Sequence, residues 1–289
     1  MPEVFYTPLP EADFQVKYGP KPMHAINIRI PEGKGPHPTL LVIHGGSWKS
    51  AYYFKQTEYI CEDFTKIGIA TCNIEYSRVG HVNGGWPGTF KDLVCAVNTI
   101  NELANEWNLD TENIVLLGHS SGAHLAFWLA AVNKLSSPEL KDTKISMKFS
   151  AVVSLTGVLD LEDAWNNNIL RKEIANLLNG TSNELPELYK VTSPAELFPL
   201  DCKQVLMHGT RDRLLPYYLS ENYYNKAKSF SEDVSLFPIV GCAHFKMIDP
   251  TSKYWPEIRN IVSNLFNGRP KTAIEERYIQ KNLPFSGEN

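Results

Sequence analysis

The feature that most restricts how this 289-residue chain can fold is its alternation of short, β-branched apolar runs with longer stretches of helical periodicity. Seven runs, at residues 25–30, 39–43, 69–74, 113–117, 151–155, 204–207 and 234–240, have the length and composition of buried strands. Between them, Phe90, Leu93, Val94, Val97, Ile100, Ala104 and Trp107 recur on one helix face, as do Trp255, Ile258, Ile261, Val262, Leu265 and Phe266 near the end. Both stripes read as core faces. The pattern predicts an α/β fold, a mostly parallel central sheet with helices on both faces.

A single domain over residues 1–289 is expected, with a core of about 25–267 and a polar C-terminal tail at 268–289. The stretch 160–199 is longer than one crossover helix needs and contains Asn166-Asn167-Asn168, Gly180 and Pro186. It reads as a small helical cap inserted after a strand, a candidate lid.

Composition narrows the partners. With 28 Lys and Arg against 32 Asp and Glu, the formal net charge is −4, so nucleic acid and anionic membranes would not be attracted. The expected partner is a small molecule, and the chain is compatible with a monomer or a homodimer. Five cysteines, an odd number without a C-x-x-C pair, give neither a disulfide framework nor a zinc site, and no histidines have H-E-x-x-H spacing. No metal and no cofactor are therefore expected. The first residues show no basic segment followed by an apolar run, and no stretch approaches the roughly 18 apolar residues of a membrane helix, so a cytoplasmic protein is expected.

The chemistry-bearing signal is Gly118-His119-Ser120-Ser121-Gly122, which follows the apolar run 114–117 and precedes a good helix beginning Ala123-His124-Leu125. Strand, sharp turn and helix form the context in which G-x-S-x-G presents a serine nucleophile. A serine on a strained turn leaves no room for side chains two residues before or after it. Ser120 is the candidate nucleophile; His119 and His124 are expected to pack or hydrogen-bond.

A serine needs a base, and in folds with this turn the chain order is serine, acid, histidine. His24, His37, His44, His81 and His119 precede Ser120, His124 lies on its helix, and His208 ends a strand. His244 remains, in the loop Gly241-Cys242-Ala243-His244 after the last strand. Asp212, following His208-Gly209-Thr210-Arg211, is the favoured acid, and Asp160 is its competitor.

His44-Gly45-Gly46-Ser47-Trp48 follows another strand, where backbone N–H groups can approach a substrate oxygen. Gly46 and Ser47, with the N–H of Ser121, are the candidate oxyanion hole, and His44 is expected to hold the loop by hydrogen bonding. Trp48, Trp86, Trp165 and Phe245 are candidate lining of an apolar substrate pocket.

With these residues in view, the chain resembles the α/β-hydrolase superfamily, in its esterase and lipase branch with HGG motifs. It is most similar there to kynurenine formamidases (arylformamidases) and related bacterial carboxylesterases. The resemblance rests on HGGSW (residues 44–48), EYSR (75–78), GGWPG (84–88) with Asp92, GHSSGAHLA (118–126), SLTGVLDL (154–161), HGTRD (208–212) and GCAHF (241–245), and it covers about 25–266. It implies a serine hydrolase that cleaves small carboxylic esters through an acyl-enzyme on Ser120. The alternatives are an arylformamidase acting on N-formylkynurenine and, from another class, a non-catalytic binding protein on a hydrolase fold. The substrate would be a small ester or amide.

Overall fold

The computed structural model describes residues 8–266 apart from residue 142. The tail expected at 268–289 lies outside the described residues. Eight strands make one sheet: β1 (Phe14–Lys17), β2 (Ala25–Arg29), β3 (His37–Ile43), β4 (Ala70–Ile74), β5 (Leu109–His119), β6 (Ala151–Leu155), β7 (Lys203–Gly209) and β8 (Val234–Ile239). Their order is β1-β2-β4-β3-β5-β6-β7-β8. β2 pairs antiparallel with β1 and β4, and the remaining pairs are parallel.

Each of the seven expected runs falls in a strand; the sequence reading missed β1. Its residues Phe14-Gln15-Val16-Lys17 are largely exposed at the sheet edge, so they carry no buried apolar run. β5 also starts earlier than the apolar residues imply. Leu109 and Asp110 pair with His37 and Pro38 before the register shifts and Ile114 faces Thr39, so the polar residues Thr111 and Glu112 sit at a bulge.

The period of two in the strands divides the core into two layers. Leu41, Ile43, Cys72, Ile114, Leu116, Val152 and Leu206 face one side. There they meet α2 (Gly88–Leu103), α3 (Ser121–Ala131) and α7 (Tyr218–Ser229) through Phe90, Leu93, Leu125, Phe127 and Tyr223. Leu40, Val42, Val115, Leu117, Val153 and Met207 face the other, where α1 (Glu58–Lys66) and α8 (Trp255–Ser263) supply Ile60, Phe64, Trp255 and Ile258. α3 is buried along nearly its whole surface, which accounts for its lack of a polar face.

Between β6 and β7 the chain forms α4 (Leu161–Asn166), α5 (Arg171–Leu178) and α6 (Pro186–Thr192). Asp160 starts this insertion as an N-cap, its Oδ1 accepting from the N–H groups of Glu162 and Asp163 at 3.1 and 3.0 Å. Leu161, Ala164, Ile174, Leu177 and Tyr189 carry the insertion into the core layer that holds α2 and α3. Among the described residues, no helix is long and apolar enough to cross a membrane.

Candidate active site

Ser120 stands between the last residue of β5 and the first of α3, with φ 55° and ψ −124°. A non-glycine residue held at such a φ is strained and persists only where its surroundings fix it. Here the fixing is steric. A Cβ on Gly122 would lie 2.2 Å from the Ile43 carbonyl oxygen, and one on Gly118 would lie 2.3 Å from the Gly122 carbonyl oxygen. Gly122 lets the turn press against the end of β3, Gly118 lets it fold back on itself, and the Ser120 N–H is tied to the Leu155 carbonyl of β6 at 2.9 Å. The Ser120 hydroxyl makes no hydrogen bond to another described residue.

His244 follows β8 by a short turn, and its Nδ1–H donates to Asp212 Oδ2 at 2.6 Å. The Asp212 carboxylate is fully buried, and its other oxygen accepts from the N–H groups of Leu214 and Leu215 at 2.8 and 2.9 Å. Burial pushes this carboxyl up, but the hydrogen bond and charge of His244, with the two N–H groups, outweigh it and hold the carboxyl below its ordinary range. Nε2 of His244 makes no hydrogen bond to a described residue. His119, next to Ser120, places its ring 4.8 Å from the His244 ring and donates from Nε2 to the His244 carbonyl at 3.3 Å. Burial, then the charge of His244, pushes His119 down to about 3, so it stays neutral beside His244.

Asp160, the competing acid, is occupied elsewhere: besides capping α4, it pairs with Lys226 at 3.3 Å. Two further histidines have structural partners. His124 donates to the Thr192 carbonyl at 2.9 Å, and His208 donates to the Leu215 carbonyl at 2.8 Å with Nδ1 against the Ser220 hydroxyl.

The loop after β3 supplies Gly46 at φ 115° and Ser47 at φ 52°. Neither N–H finds an acceptor among the described residues, and Ser121, at the first position of α3, has no intrahelical acceptor for its own. The loop and the serine turn are joined directly, since the Trp48 N–H donates to Ser121 Oγ at 3.4 Å. Three unpaired donors thus lie on two segments that meet beside Ser120, which is the arrangement that can hold a developing oxyanion.

The four aromatic pocket candidates separate. Phe245 packs on the rings of His244 and His119, at 5.1 and 6.1 Å. Trp86 is half-buried against Phe90, and its N–H donates to the Leu177 carbonyl of α5 at 2.7 Å. Trp165 lies on α4 beside Tyr189 and under the Arg171 guanidinium. Trp48 instead points into the core against His124, fully buried, because its φ of 57° turns the side chain inward.

Sequence reasoning assigned no role to Tyr52, Glu75 or Arg78. The Tyr52 side chain lies over Gly46, where a Cβ would meet the Tyr52 Cβ at 2.3 Å and the ring at 2.7 Å. Glu75 and Arg78 are buried behind the same loop and paired at 2.9 Å. A charged i, i+3 pair directly after a buried strand is the signal that could have found them. Among the described residues, no group of three or more His, Cys, Asp and Glu side chains is placed to hold a metal ion.

The chain is 24% identical over 245 residues to a probable isoprenylcysteine alpha-carbonyl methylesterase of Oryza sativa, covering 79% of this chain and 57% of that one. It is 25% identical over 210 residues to a kynurenine formamidase of Meyerozyma guilliermondii, covering 71% of this chain and 77% of that one. This chain thus spans little more than half the length of the plant relative. A propionate-bound esterase of Thermogutta terrifontis superposes with a TM-score of 0.72 at 21% identity, covering 93% and 99% of the two chains. The fold is that of the α/β-hydrolases. The BD-FAE family model matches residues 26–227, a span that runs from β2 through the loop after β3, the serine turn, the helical insertion and Asp212 into α7, and the chain belongs to the BD-FAE family.

Proposed function

We propose that this protein is a carboxylesterase-type serine hydrolase that cleaves small carboxylic esters through an acyl-enzyme on Ser120. The observation that carries the reading is the 2.6 Å hydrogen bond from His244 to the buried Asp212, on the loop beside the strained serine turn. Ser120 attacks the ester carbonyl while His244 Nε2 takes its proton, and Asp212 fixes the imidazole tautomer and stabilises the imidazolium. The N–H groups of Gly46, Ser47 and Ser121 hold the tetrahedral oxyanion. His244 then protonates the departing alcohol, and water, activated by the same base, releases the acid. Phe245, Trp86 and Trp165 line the substrate side, with α4–α6 as a cap on a single domain. The five cysteines, none of them in a disulfide, suit a reducing, cytoplasmic setting.

Ser120→Ala is expected to lower kcat on p-nitrophenyl acetate by at least about 10⁴-fold while leaving the circular dichroism spectrum unchanged. A fluorophosphonate probe should label the native protein at Ser120 and fail on the variant. An equally active variant, or a native protein that resists the probe, would remove the assignment and favour a binding protein.

The 25% identity to a kynurenine formamidase supports a second reading, hydrolysis of N-formylkynurenine. Both reactions pass through a similar oxyanion, so the site chemistry serves either. A direct comparison of that formamide with acetyl and butyryl esters distinguishes them by kcat/KM.

A further inference from the structure

The loop that offers Gly46 and Ser47 is conformationally expensive. Gly46, Ser47 and Trp48 are three successive residues at φ 115°, 52° and 57°, two of them with side chains. Such a run does not hold its shape by itself, and the N–H directions it sets are what an oxyanion hole depends on.

The restraint comes from the segment after β4, the strand beside β3. Glu75 Oε1 faces His44 Nε2 at 3.0 Å, the Arg78 guanidinium at 2.9 Å and the Tyr76 N–H at 2.9 Å. Its Oε2 accepts from the Phe54 N–H at 3.1 Å. One carboxylate therefore binds both ends of the 44–54 loop. Arg78 donates as well to the carbonyl of Tyr52, the residue whose ring lies over Gly46. Tyr76 stacks on His44 at 4.5 Å and donates its hydroxyl to the His44 carbonyl at 2.7 Å. Glu75 and Arg78 are each 4% exposed, so water competes little for these contacts. Burial pushes the Glu75 carboxyl up, but His44, Arg78 and the Tyr76 N–H outweigh it and keep it ionised.

We propose that Glu75 and Arg78 are positioning residues for the oxyanion hole, a buried ion pair that spans the 44–54 loop and aims the Gly46 and Ser47 N–H groups at the transition state. The proposal rests on the esterase reading above. The pair is not placed to touch substrate, so its loss should act on kcat more than on KM, because a tetrahedral oxyanion needs aimed donors more than a ground-state carbonyl does.

The same chain supplies a control: Glu58 at the start of α1 and Arg29 of β2, also buried and paired at 2.5 Å, tie α1 to the sheet and make no direct side-chain hydrogen bond to the 44–54 loop. Glu75→Gln and Arg78→Met are expected to lower kcat on p-nitrophenyl acetate by about 10- to 100-fold with KM within about twofold, less than the loss of a whole donor. Arg78→Lys should recover part of that loss. Both variants should lose affinity for a phenylboronic acid, which mimics the tetrahedral state, and keep their affinity for acetate. Glu58→Gln should lower the melting temperature and leave kcat unchanged. If Glu75→Gln fails to fold, Arg78→Lys and Tyr76→Phe, which preserve charge and bulk, carry the same kcat and boronate measurements. The proposal is overturned if the folded Glu75 and Arg78 variants keep native kcat and boronate affinity and lose only stability, as the Glu58 control does. Activity that survives Ser120→Ala overturns the esterase reading and this proposal together, whereas native kcat in Glu75→Gln with hydrolysis still dependent on Ser120 overturns this proposal alone.

Discussion

Two carboxylate–histidine pairs flank Ser120, and they differ in what each histidine has left to offer. On one side Asp212 meets His244 at 2.6 Å; on the other Glu75 meets His44 at 3.0 Å. Both carboxylates are buried, and both are held below their ordinary range against the pull of burial. His44, however, has both ring nitrogens committed, Nδ1 to the Gly45 carbonyl at 2.7 Å and Nε2 to Glu75, and no exposed surface. His244 keeps Nε2 without a hydrogen bond to a described residue. The carboxylates differ too. Glu75 is already neutralised by Arg78, while Asp212 is bound by two backbone N–H groups and has no Lys or Arg among its ion-pair partners, leaving its charge for an imidazolium. A histidine beside a carboxylate is thus a base or a brace according to its second nitrogen and the carboxylate's other partners.

The sharpest way to break this contrast is to remove each ring. His244→Ala is expected to lower kcat by about 10⁴- to 10⁶-fold, as loss of the proton acceptor does in triad enzymes. His44→Gln should cost no more than about 10²-fold, the effect of a slackened oxyanion loop. Steady-state kinetics on one ester checks both, and equal losses would erase the distinction.

The next effect tests the role proposed for Asp212. Asp212→Asn should keep the fold and lower kcat by about 10⁴-fold, because an amide no longer stabilises the imidazolium or enforces its tautomer. It also has a signature in acid. A carboxyl whose folded pKa is depressed contributes stability that is present above its unfolded value, about 3.9, and is lost as pH falls through the folded value. The native protein should therefore lose stability below about pH 4 more steeply than the variant, read as denaturation midpoints across pH 2–6.

Some of this was legible in the sequence, and the reason is local. The glycine at 122 is required by the close approach of the end of β3 and the one at 118 by the turn folding back on Gly122 and Ala123, so the serine turn leaves a written trace. The strands of the parallel region follow from apolar runs that must be buried on both faces. His244 emerged by chain order, and its contact with Asp212 joins two neighbouring strands, β7 and β8. The roles of Glu75 and Arg78 were not legible, because they depend on β4 lying beside β3, a pairing that no spacing along the chain encodes. The inward turn of Trp48 was hidden for a different reason: a positive φ at a tryptophan leaves no compositional mark. β1 was hidden by its exposure, as an edge strand without an apolar face.

The smallest expected effect concerns how the helical insertion is held against the loop after β3. Lys49, two residues after Ser47, pairs with Glu173 of α5 at 2.7 Å, with 47% and 19% of the two side chains exposed. Solvent on both partners limits such a pair to about 1 kcal/mol or less, and salt screens it further. The stronger ties are the Trp86 N–H to the Leu177 carbonyl and the burial of Ile174 and Leu177 in the core. Lys49→Ala should therefore change kcat/KM by less than about threefold and lower the melting temperature by no more than about 4 °C. A larger kinetic loss, reproduced by Glu173→Gln and by high salt in the native protein, would make the insertion an electrostatic partner of the oxyanion loop. The contrast between the two histidines would then need a third element, because the brace on His44 would extend through Lys49 into α5.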